Sequence, residues 1–186
     1  GVRMIPFNSM ADRLYRVVRR TAKEWGKKAN LDIRGGQVEL DRSVPEKMTG
    51  PIEHLLRNAI THGLEDVAQR QAAGKPEIGE IALTLSQEGN EVVIDMTDDG
   101  AGLNFERIRS KAIEQGLLAS DQYPDETALT DFIFHAGFST ARELTEIAGR
   151  GVGMDVVKSE TAQLGGRIAV SSTPGKGARF RIYLPL

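Results

Sequence analysis

The segment 44–65 has the periodicity of a two-faced helix, and it constrains the fold more than any other part of the sequence. At about 100° per residue, its apolar residues share one face, which must be buried against another layer. The opposite face carries imidazoles, an amide and a guanidinium, where a solvated helix usually carries Glu and Lys. The apolar set is Ile52, Leu55, Leu56, Ala59 and Ile60, and the polar set is His54, Arg57, Asn58 and Thr61, with His62 at its edge.

The polar stripe on this helix is either a plain solvated face or a functional site. Asn is a poor helix former, so Asn58 in the middle of a helix favours a functional site over a plain solvated face. Two histidines and an amide could also bind a metal ion, but the His-Glu-x-x-His spacing of zinc enzymes is absent. Pro51 lies inside the stretch and predicts that the helix begins or kinks there.

The rest of the chain alternates helices with short strands. Helical periodicity predicts helices at 9–29, about 104–115, around 129–134 and at 154–164. Alternating apolar residues predict strands at 31–34, 38–41, 81–85, 92–96, 168–171 and 179–184. The middle two are expected to form a hairpin. This order is typical of an α+β protein, a two-layer α/β sandwich with helices on one face of a mixed, mostly antiparallel sheet.

Composition excludes several classes of protein. Lys and Arg number 24 against 26 Asp and Glu, and the net charge of −2 gives no reason to expect binding to nucleic acid or to a membrane surface. The absence of cysteine excludes disulfides, thiolate metal sites and cysteine nucleophiles. No stretch approaches 18 apolar residues, so we expect no direct membrane insertion. The length suits a single domain over 1–186, and the first residues look like the cut end of a larger, multidomain chain.

Three glycine-rich motifs follow the helix in chain order. Asp98-Asp99-Gly100-Ala101-Gly102 comes directly after a strand, where glycines allow a close approach to a ligand and a carboxylate can accept a hydrogen bond from a buried amino group. The segment 149–155 opens a helix, whose N-terminus favours a phosphate. Gly175-Lys176-Gly177 alone is only a tight turn. Each motif is weak by itself, and a plain turn explains any one of them, but the four features in this order form a joint pattern.

With these motifs, the sequence resembles the ATP-binding kinase domain of chemotaxis-type histidine kinases. That family lies in the superfamily of histidine kinases, type II topoisomerases, Hsp90-like chaperones and mismatch-repair ATPases. The resemblance covers almost the whole chain, and its most specific stretches are 54–65, 98–103, 138–140 and 149–158. It implies the Bergerat ATP-binding fold, a mobile ATP lid at 136–153, and ATP and Mg²⁺ as ligands.

The resemblance also implies roles for single residues. Asn58 would hold the Mg²⁺ that bridges the ATP phosphates, and His54 and His62 would face the terminal phosphate. Asp98 would accept a hydrogen bond from the adenine amino group, and Lys111 would reach the phosphates. The remaining nucleotide-binding positions would be Gly100, Gly102 and Gly177 around the base, and Ser139, Thr140, Gly149, Gly151, Val152, Gly153 and Met154 in and after the lid.

One position separates the branches of this superfamily. The ATP-hydrolysing branches have Glu-x-x-x-Asn where this chain has His54-x-x-x-Asn58, and Glu53 lies about 100° away around the helix. This favours transfer to a histidine over hydrolysis, so the expected enzyme is a protein-histidine kinase. The sequence departs from the family at Thr61, Ala141 and Ala178, which keeps a nucleotide-binding scaffold without transfer as an alternative, with a chaperone-type ATPase as another.

None of the three histidines, His54, His62 and His135, resembles the family's phosphoacceptor. We therefore expect the isolated chain to be a monomer that binds ATP without phosphorylating itself. The implied partners are a histidine phosphotransfer domain in the same full chain or its dimer mate, response regulators, and a coupling protein with methyl-accepting receptors. The implied location is cytoplasmic, near the membrane through receptor complexes. The N-terminal residues resemble kinases of pilus-driven motility more than flagellar ones.

Overall fold

A five-stranded sheet forms one layer of the structure, which is a computed structural model describing residues 3–138 and 153–186. The strands are β1 (Met4–Pro6), β2 (Ala29–Arg34), β3 (Glu39–Asp41), β4 (Gly79–Glu88), β5 (Glu91–Asp98), β6 (Arg167–Thr173) and β7 (Gly177–Pro185). The main sheet has the order β2-β4-β5-β7-β6, in which only the β2–β4 pair is parallel. A small second sheet pairs β1 with β3.

Helices form the other layer. They are α1 (Ala11–Glu24), α2 (Ser43–Asn58), α3 (Val67–Ala72), α4 (Phe105–Glu114), α5 (Glu126–Asp131) and α6 (Met154–Gln163). Single 3₁₀ turns occur at Phe7–Met10 and Phe132–Phe134, and a π-helix at Ala59–Gly63 continues α2. The expected α+β class and the mostly antiparallel sheet are confirmed.

The main core lies between the sheet and helices α1, α2 and α6. Leu14 of α1 and Leu56 of α2 are fully buried there, and Val157 of α6 joins them. On the sheet side, Ile81 and Ile94 are almost completely buried. A smaller cluster under α4 and α5 contains Ile108, Ala112, Leu129 and Phe138. The apolar faces predicted for these helices are therefore the faces that hold the two layers together.

The hairpin of β4 and β5 is confirmed, and the strands predicted at 31–34 and 38–41 both form, in different sheets. The first is β2, which lies parallel to β4, whereas the second is β3, which pairs with β1. The turn between them passes very close to β4. Gly35 has φ of +74°, and a Cβ there would lie 2.0 Å from the carbonyl oxygen of Leu85. The tight crossing separates the two strands into different sheets.

Helix α2 neither begins nor stops at Pro51. It runs from Ser43, whose N–H and hydroxyl both donate to the Asp41 carboxylate at 2.9 Å, through Pro51 to Asn58. A proline disfavours the helical conformation of the preceding residue by clashing with that residue's N–H and Cβ. Here the preceding residue is Gly50, which has no Cβ. One of the clashes that normally ends a helix before a proline is therefore absent.

The packing of α2 yields a stability prediction. Leu56 is 0% exposed within the main core, so Leu56→Ala should lower the free energy of unfolding by about 3 kcal/mol, through lost burial and the cavity left behind. Leu117 is 40% exposed, and Leu117→Ala serves as the matched control, with an effect below about 0.5 kcal/mol. Urea unfolding followed by circular dichroism measures both. Equal effects would contradict the assigned core.

Candidate functional site

A cavity of about 340 Å³ lies between the end of α2, the loop after β5, and α4. This volume lies within the range of about 300–1,000 Å³ that is common for small-molecule sites. Six residues expected from the sequence line the cavity: Asn58, His62, Asp98, Gly102, Lys111 and Met154. Residues that are far apart in the chain are thus brought together at one site, as the joint pattern predicts.

Asp98 ends β5 and is only 8% exposed. Its Oδ1 accepts a hydrogen bond from the Gly100 N–H at 2.9 Å, and the backbone N–H of Ala178 donates to the same carboxylate. Burial raises the pKa of Asp98 to about 6, and the nearby carboxylates of Asp99 and Glu65 add to this, whereas the two backbone donors oppose it. The group is therefore ionised at neutral pH and can accept a hydrogen bond from a ligand.

The glycines around Asp98 allow backbone segments to touch. A Cβ on Gly100 would lie 2.1 Å from the carbonyl oxygen of Gly63, and the neighbouring Ala101 N–H donates to that oxygen at 2.9 Å. Gly177 has φ of +122°, and a Cβ there would lie 1.9 Å from the carbonyl oxygen of Asp98. Gly100 and Gly177 are not among the residues that line the cavity. Gly100 orients the carboxylate through its N–H, Gly177 lets β7 pass close to the backbone of Asp98, and Gly102 reaches the cavity wall.

The end of α2 widens where it enters the site. The Leu64 N–H donates to the carbonyl of Ala59, five residues back, at 2.7 Å, so the turn at Ala59–Gly63 is a π-helix. Such turns occur often at functional sites. Lys27 donates to the carbonyls of Ile60 and Thr61, at 2.7 and 3.2 Å. The predicted helix at 44–65 is thus confirmed to Gly63, but its last turn is wider than the prediction assumed.

Asn58 is oriented by its neighbours. Its Nδ2 lies 3.3 Å from Nε2 of His54 and 3.3 Å from the sulfur of Met154. Burial lowers the pKa of His54 to about 4, and the charges of Arg57 and His62 add to the effect, so the ring is neutral at pH 7 and Nε2 can accept from the amide. Both described hydrogen bonds of Asn58 use its nitrogen. The amide oxygen is therefore left to a ligand within the described part of the chain.

His54 lies behind Asn58 and does not line the cavity, unlike His62. The ring is 1% exposed, and its Nδ1 has no hydrogen-bond partner among residues 3–138 and 153–186. Arg57 and Thr61, the other members of the predicted polar stripe, are also absent from the lining. Of the histidine pair expected to face a phosphate, the structure brings His62 to the cavity and makes His54 a support for Asn58.

Glu53 is held away from the cavity. It is 2% exposed and forms ion pairs with Arg13 and with Arg57, the latter at 3.4 Å. Among the described residues that line the cavity, Asp98 supplies the only carboxylate. The described site therefore contains no second carboxylate that could act as a base for a water molecule at the Asn58 end.

Two cations of α4 line the cavity one helical turn apart, Arg107 and Lys111. The Lys111 ammonium lies 4.9 Å from the ring centre of Phe138. Sequence reasoning found Lys111 but missed Arg107, although their spacing of four residues places them on the same helix face. Asn104, also in the lining, caps this helix by accepting the Arg107 N–H at 3.1 Å.

Most of the predicted lid lies outside the described residues: Ser139, Thr140, Gly149, Gly151 and Val152. Gly153 is described and forms the N-cap of α6, and Met154 begins that helix and lines the cavity. Over the described ranges, no cluster of three or more His, Asp or Glu is placed to hold a metal ion. Within the same ranges, no helix has the length and apolar character that a bilayer crossing requires.

Comparison with known families agrees with this geometry. Residues 48–186 match the model of the histidine kinase-, DNA gyrase B- and HSP90-like ATPases. The match covers well over half of the chain, so the chain belongs to this family. A solved histidine kinase domain, from the blue-light activated histidine kinase EL346 of Erythrobacter litoralis, has the same fold with a TM-score of 0.56 at 16% identity. The alignment covers 98% of this chain and 66% of that one.

Several similar curated proteins are chemotaxis proteins named CheA. The chain is 44% identical over 186 residues to those of Rhizobium meliloti and Klebsiella aerogenes, and 42% identical over 188 residues to that of Bacillus subtilis. All of this chain is aligned in each case, but it spans only 24%, 28% and 28% of these relatives. The resemblance stated from the motifs is therefore confirmed for a domain-sized part of those proteins.

The buried His54 predicts a pH-dependent stability. Because the folded pKa is about 4 against an ordinary value of 6.5, the unfolded chain binds the proton more readily. The contribution of His54 is present above about pH 6.5 and is lost as the pH falls towards 4. The difference in unfolding free energy between the wild type and His54→Gln should therefore shrink from pH 7 to pH 4. His135→Gln, an exposed histidine, is the control, and a constant difference for His54→Gln would contradict the assignment.

Proposed function

We propose that this chain binds Mg-ATP and transfers the γ-phosphoryl group to a histidine of a separate phosphotransfer domain in a chemotaxis-type two-component pathway. The observation that carries the proposal is the buried Asp98 carboxylate, held by two backbone donors in the same cavity as Asn58 and Lys111. A member of this ATPase family with that arrangement has an acceptor for a purine amino group and a polar region for phosphates. The identity to chemotaxis proteins supports the choice of pathway.

The adenine end of the site is assigned to Asp98. A carboxylate that already accepts two backbone N–H groups has further acceptor capacity, since it carries two oxygens. Leu103, Ile108 and Phe180 supply apolar cavity walls that suit a planar base. Gly102 allows the loop after β5 to run along the same wall.

The phosphate end is assigned to Asn58, His62, Arg107 and Lys111. The residues fit a magnesium ion, because the Asn58 amide oxygen is left for a ligand and Mg²⁺ is commonly held by few protein ligands together with substrate phosphates. When bound, the ion would neutralise charge on the phosphates. The two α4 cations contribute further positive charge. The proposed lid would also bind the phosphates. Backbone N–H groups would do so at Gly149, Gly151 and Gly153, and the proposal includes Ser139, Thr140 and Val152 in the same lid.

The reaction proposed is transfer to an imidazole. The bond between the γ-phosphorus and its bridging oxygen breaks, ADP leaves with the electron pair, and a nitrogen of the acceptor histidine forms the new bond to phosphorus. Phosphoryl transfer depends mainly on positioning and charge neutralisation. Hydrolysis is disfavoured because Glu53 is bound by Arg13 and Arg57 and the described cavity has no other carboxylate at that end.

The proposed partners are those that the family resemblance implies for a full-length protein. They are a histidine phosphotransfer domain in the same full protein or its dimer mate, response regulators, and a coupling protein with methyl-accepting receptors. The protein would act in the cytoplasm beneath receptor complexes, and the isolated chain would be monomeric and inactive as an autokinase.

Control of pilus-driven motility is part of this proposal. Loss of twitching, with flagellar swimming retained, in a strain that lacks the gene would support it.

Nucleotide binding is tested first. Calorimetric titration with a non-hydrolysable ATP analogue and Mg²⁺ should give micromolar binding in the wild type, weakened at least about tenfold in Asp98→Asn, which presents an amide donor to the adenine amino group. Because protonation removes the charge of Asp98 and makes it a weaker acceptor, the difference in affinity between the two proteins should narrow below about pH 6. Asp95→Asn, on the same strand, is the control. Equal affinities of wild type and Asp98→Asn at pH 7.5 would refute the adenine assignment.

Transfer is tested with Asn58→Ala. This variant should lose phosphoryl transfer to a supplied acceptor domain, because the ligand oxygen for magnesium is gone, while its circular dichroism spectrum stays that of the wild type. Asn30→Ala, which removes an exposed hydrogen bond to Glu80, is the control and should retain transfer. Unchanged transfer in Asn58→Ala would refute the metal assignment. Nucleotide binding by the wild type without transfer to any acceptor would instead identify a nucleotide-dependent scaffold. The presence of Ala178 in the lining, at a position where the sequence departs from the family's pattern, is consistent with that outcome.

A further inference from the structure

A partly buried ion cluster lies behind the Asp98 loop, and the proposed reaction does not use it. Its cations are Arg70 and Lys75, and its carboxylates are Glu65 and Asp99. Arg70 projects from α3, a helix whose start is fixed by a capping box between Asp66 and Gln69. The guanidinium is 1% exposed, which is unusual for arginine and requires that its donors be satisfied.

Arg70 connects three loops. Its Nε donates to the carbonyl of Pro76 at 2.6 Å, one terminal nitrogen donates to Glu65 at 3.0 Å, and the other donates to the Asp99 carboxylate at 3.1 Å. Glu65 lies two residues after the last residue of the π-helix, and Asp99 follows Asp98. The guanidinium therefore ties the end of the π-helix to the loop that follows β5.

Lys75 binds the same two segments. Gly74, with φ of +73°, ends α3 and turns the chain, so that Lys75 points back towards the loop. The ammonium donates to Glu65 at 2.7 Å, to the Asp99 carbonyl at 2.9 Å and to the Gly100 carbonyl at 3.0 Å. All three of its donors are used. Burial alone would raise the pKa of Glu65, but the Lys75 hydrogen bond and the two positive charges hold it below its usual value.

One peptide group joins this cluster to the site. The carbonyl of Asp99 accepts from Lys75, and from Arg70 at 3.3 Å, while the N–H of the same peptide, that of Gly100, donates to Oδ1 of Asp98 at 2.9 Å. A peptide group is a rigid plane, so holding its oxygen fixes the direction of its N–H. A cation on the carbonyl also polarises the group and strengthens its donor.

We infer that Arg70 and Lys75 are positioning residues that set the orientation of the Asp98 carboxylate, and thereby the preference of the site for a purine with a 6-amino group. This inference rests on the proposed binding of adenine at Asp98. Neither residue lines the cavity. They act through the Asp99–Gly100 peptide, so their effect falls on nucleotide recognition.

The test compares ATP with purine-riboside 5′-triphosphate, which lacks the 6-amino group. The variant is Lys75→Met, because Lys75 is 18% exposed and its loss disturbs the fold less than loss of Arg70. The wild type should prefer ATP, so the dissociation constant of the purine-riboside triphosphate divided by that of ATP should exceed one. Lys75→Met should reduce this ratio roughly tenfold, to the ratio measured for Asp98→Asn. Lys75→Arg, which keeps the charge, should retain most of the preference. Lys28→Met, which removes an exposed pair with Glu77, should leave it unchanged.

The ratio separates positioning from general destabilisation. A loosened fold would weaken the binding of both nucleotides by the same factor, so the ratio of their dissociation constants would stay as in the wild type. That result would overturn the inference. Adding Lys75→Met to Asp98→Asn should cause no further change in the ratio, since the carboxylate it orients is gone. Should Lys75→Met fail to give a cooperative thermal transition, Lys75→Gln decides by the same measurement. A wild type without any preference for ATP would instead refute the adenine assignment itself.

Discussion

The contact of three backbone segments around Asp98 is the constraint on which the site depends. They come from the π-helix, the end of β5 and the start of β7, and they meet because Gly63, Gly100 and Gly177 carry no side chains in the way. A Cβ on Gly100 or Gly177 would lie 2.1 or 1.9 Å from a carbonyl oxygen, and one on Gly63 would lie 3.2 Å from the Asp98 carboxylate. The contact couples the position of α2 to the sheet, so the geometry of the cavity follows from the packing of the two layers.

Burial acts on the two central ionisable groups in opposite directions. It raises the pKa of Asp98 to about 6 and lowers that of His54 to about 4, in each case favouring the neutral form. For His54 the neutral form is the useful one at pH 7, since it accepts from Asn58. For Asp98 the ionised form is needed, and because the folded state holds its proton more strongly, the contribution of this group to stability falls as the pH rises from about 4 to about 6. The binding site thus retains a carboxylate that a more stable protein would lack.

Local sequence patterns predicted most of the helices and strands. The features that they did not predict depend on contacts between residues far apart in the chain. The β4–β5 hairpin, α4 and α6 follow from alternation, periodicity and caps that lie within a few residues. The π-turn does not, because the carbonyls of Ile60 and Thr61 are held by Lys27, more than thirty residues away in the chain. Likewise, the stripe of polar residues predicted a site on the correct helix, but only the packing shows that His54 lies behind Asn58. The role of Arg70 had no sequence signal, since a lone arginine on a short helix is ordinarily solvated.

Two neighbouring residues of α2, Glu53 and His54, have different roles. Glu53 is buried and balanced by Arg13 and Arg57, so its carboxylate ties α1 to α2 and is not at the cavity. One residue later, His54 lies next to Asn58 as a neutral ring that needs no counter-charge. A carboxylate at 54 would be desolvated against the same wall, one turn from the amide and outside the cavity lining. The helix thus balances its buried charge at Glu53, while the neutral ring at 54 is left to orient the Asn58 amide.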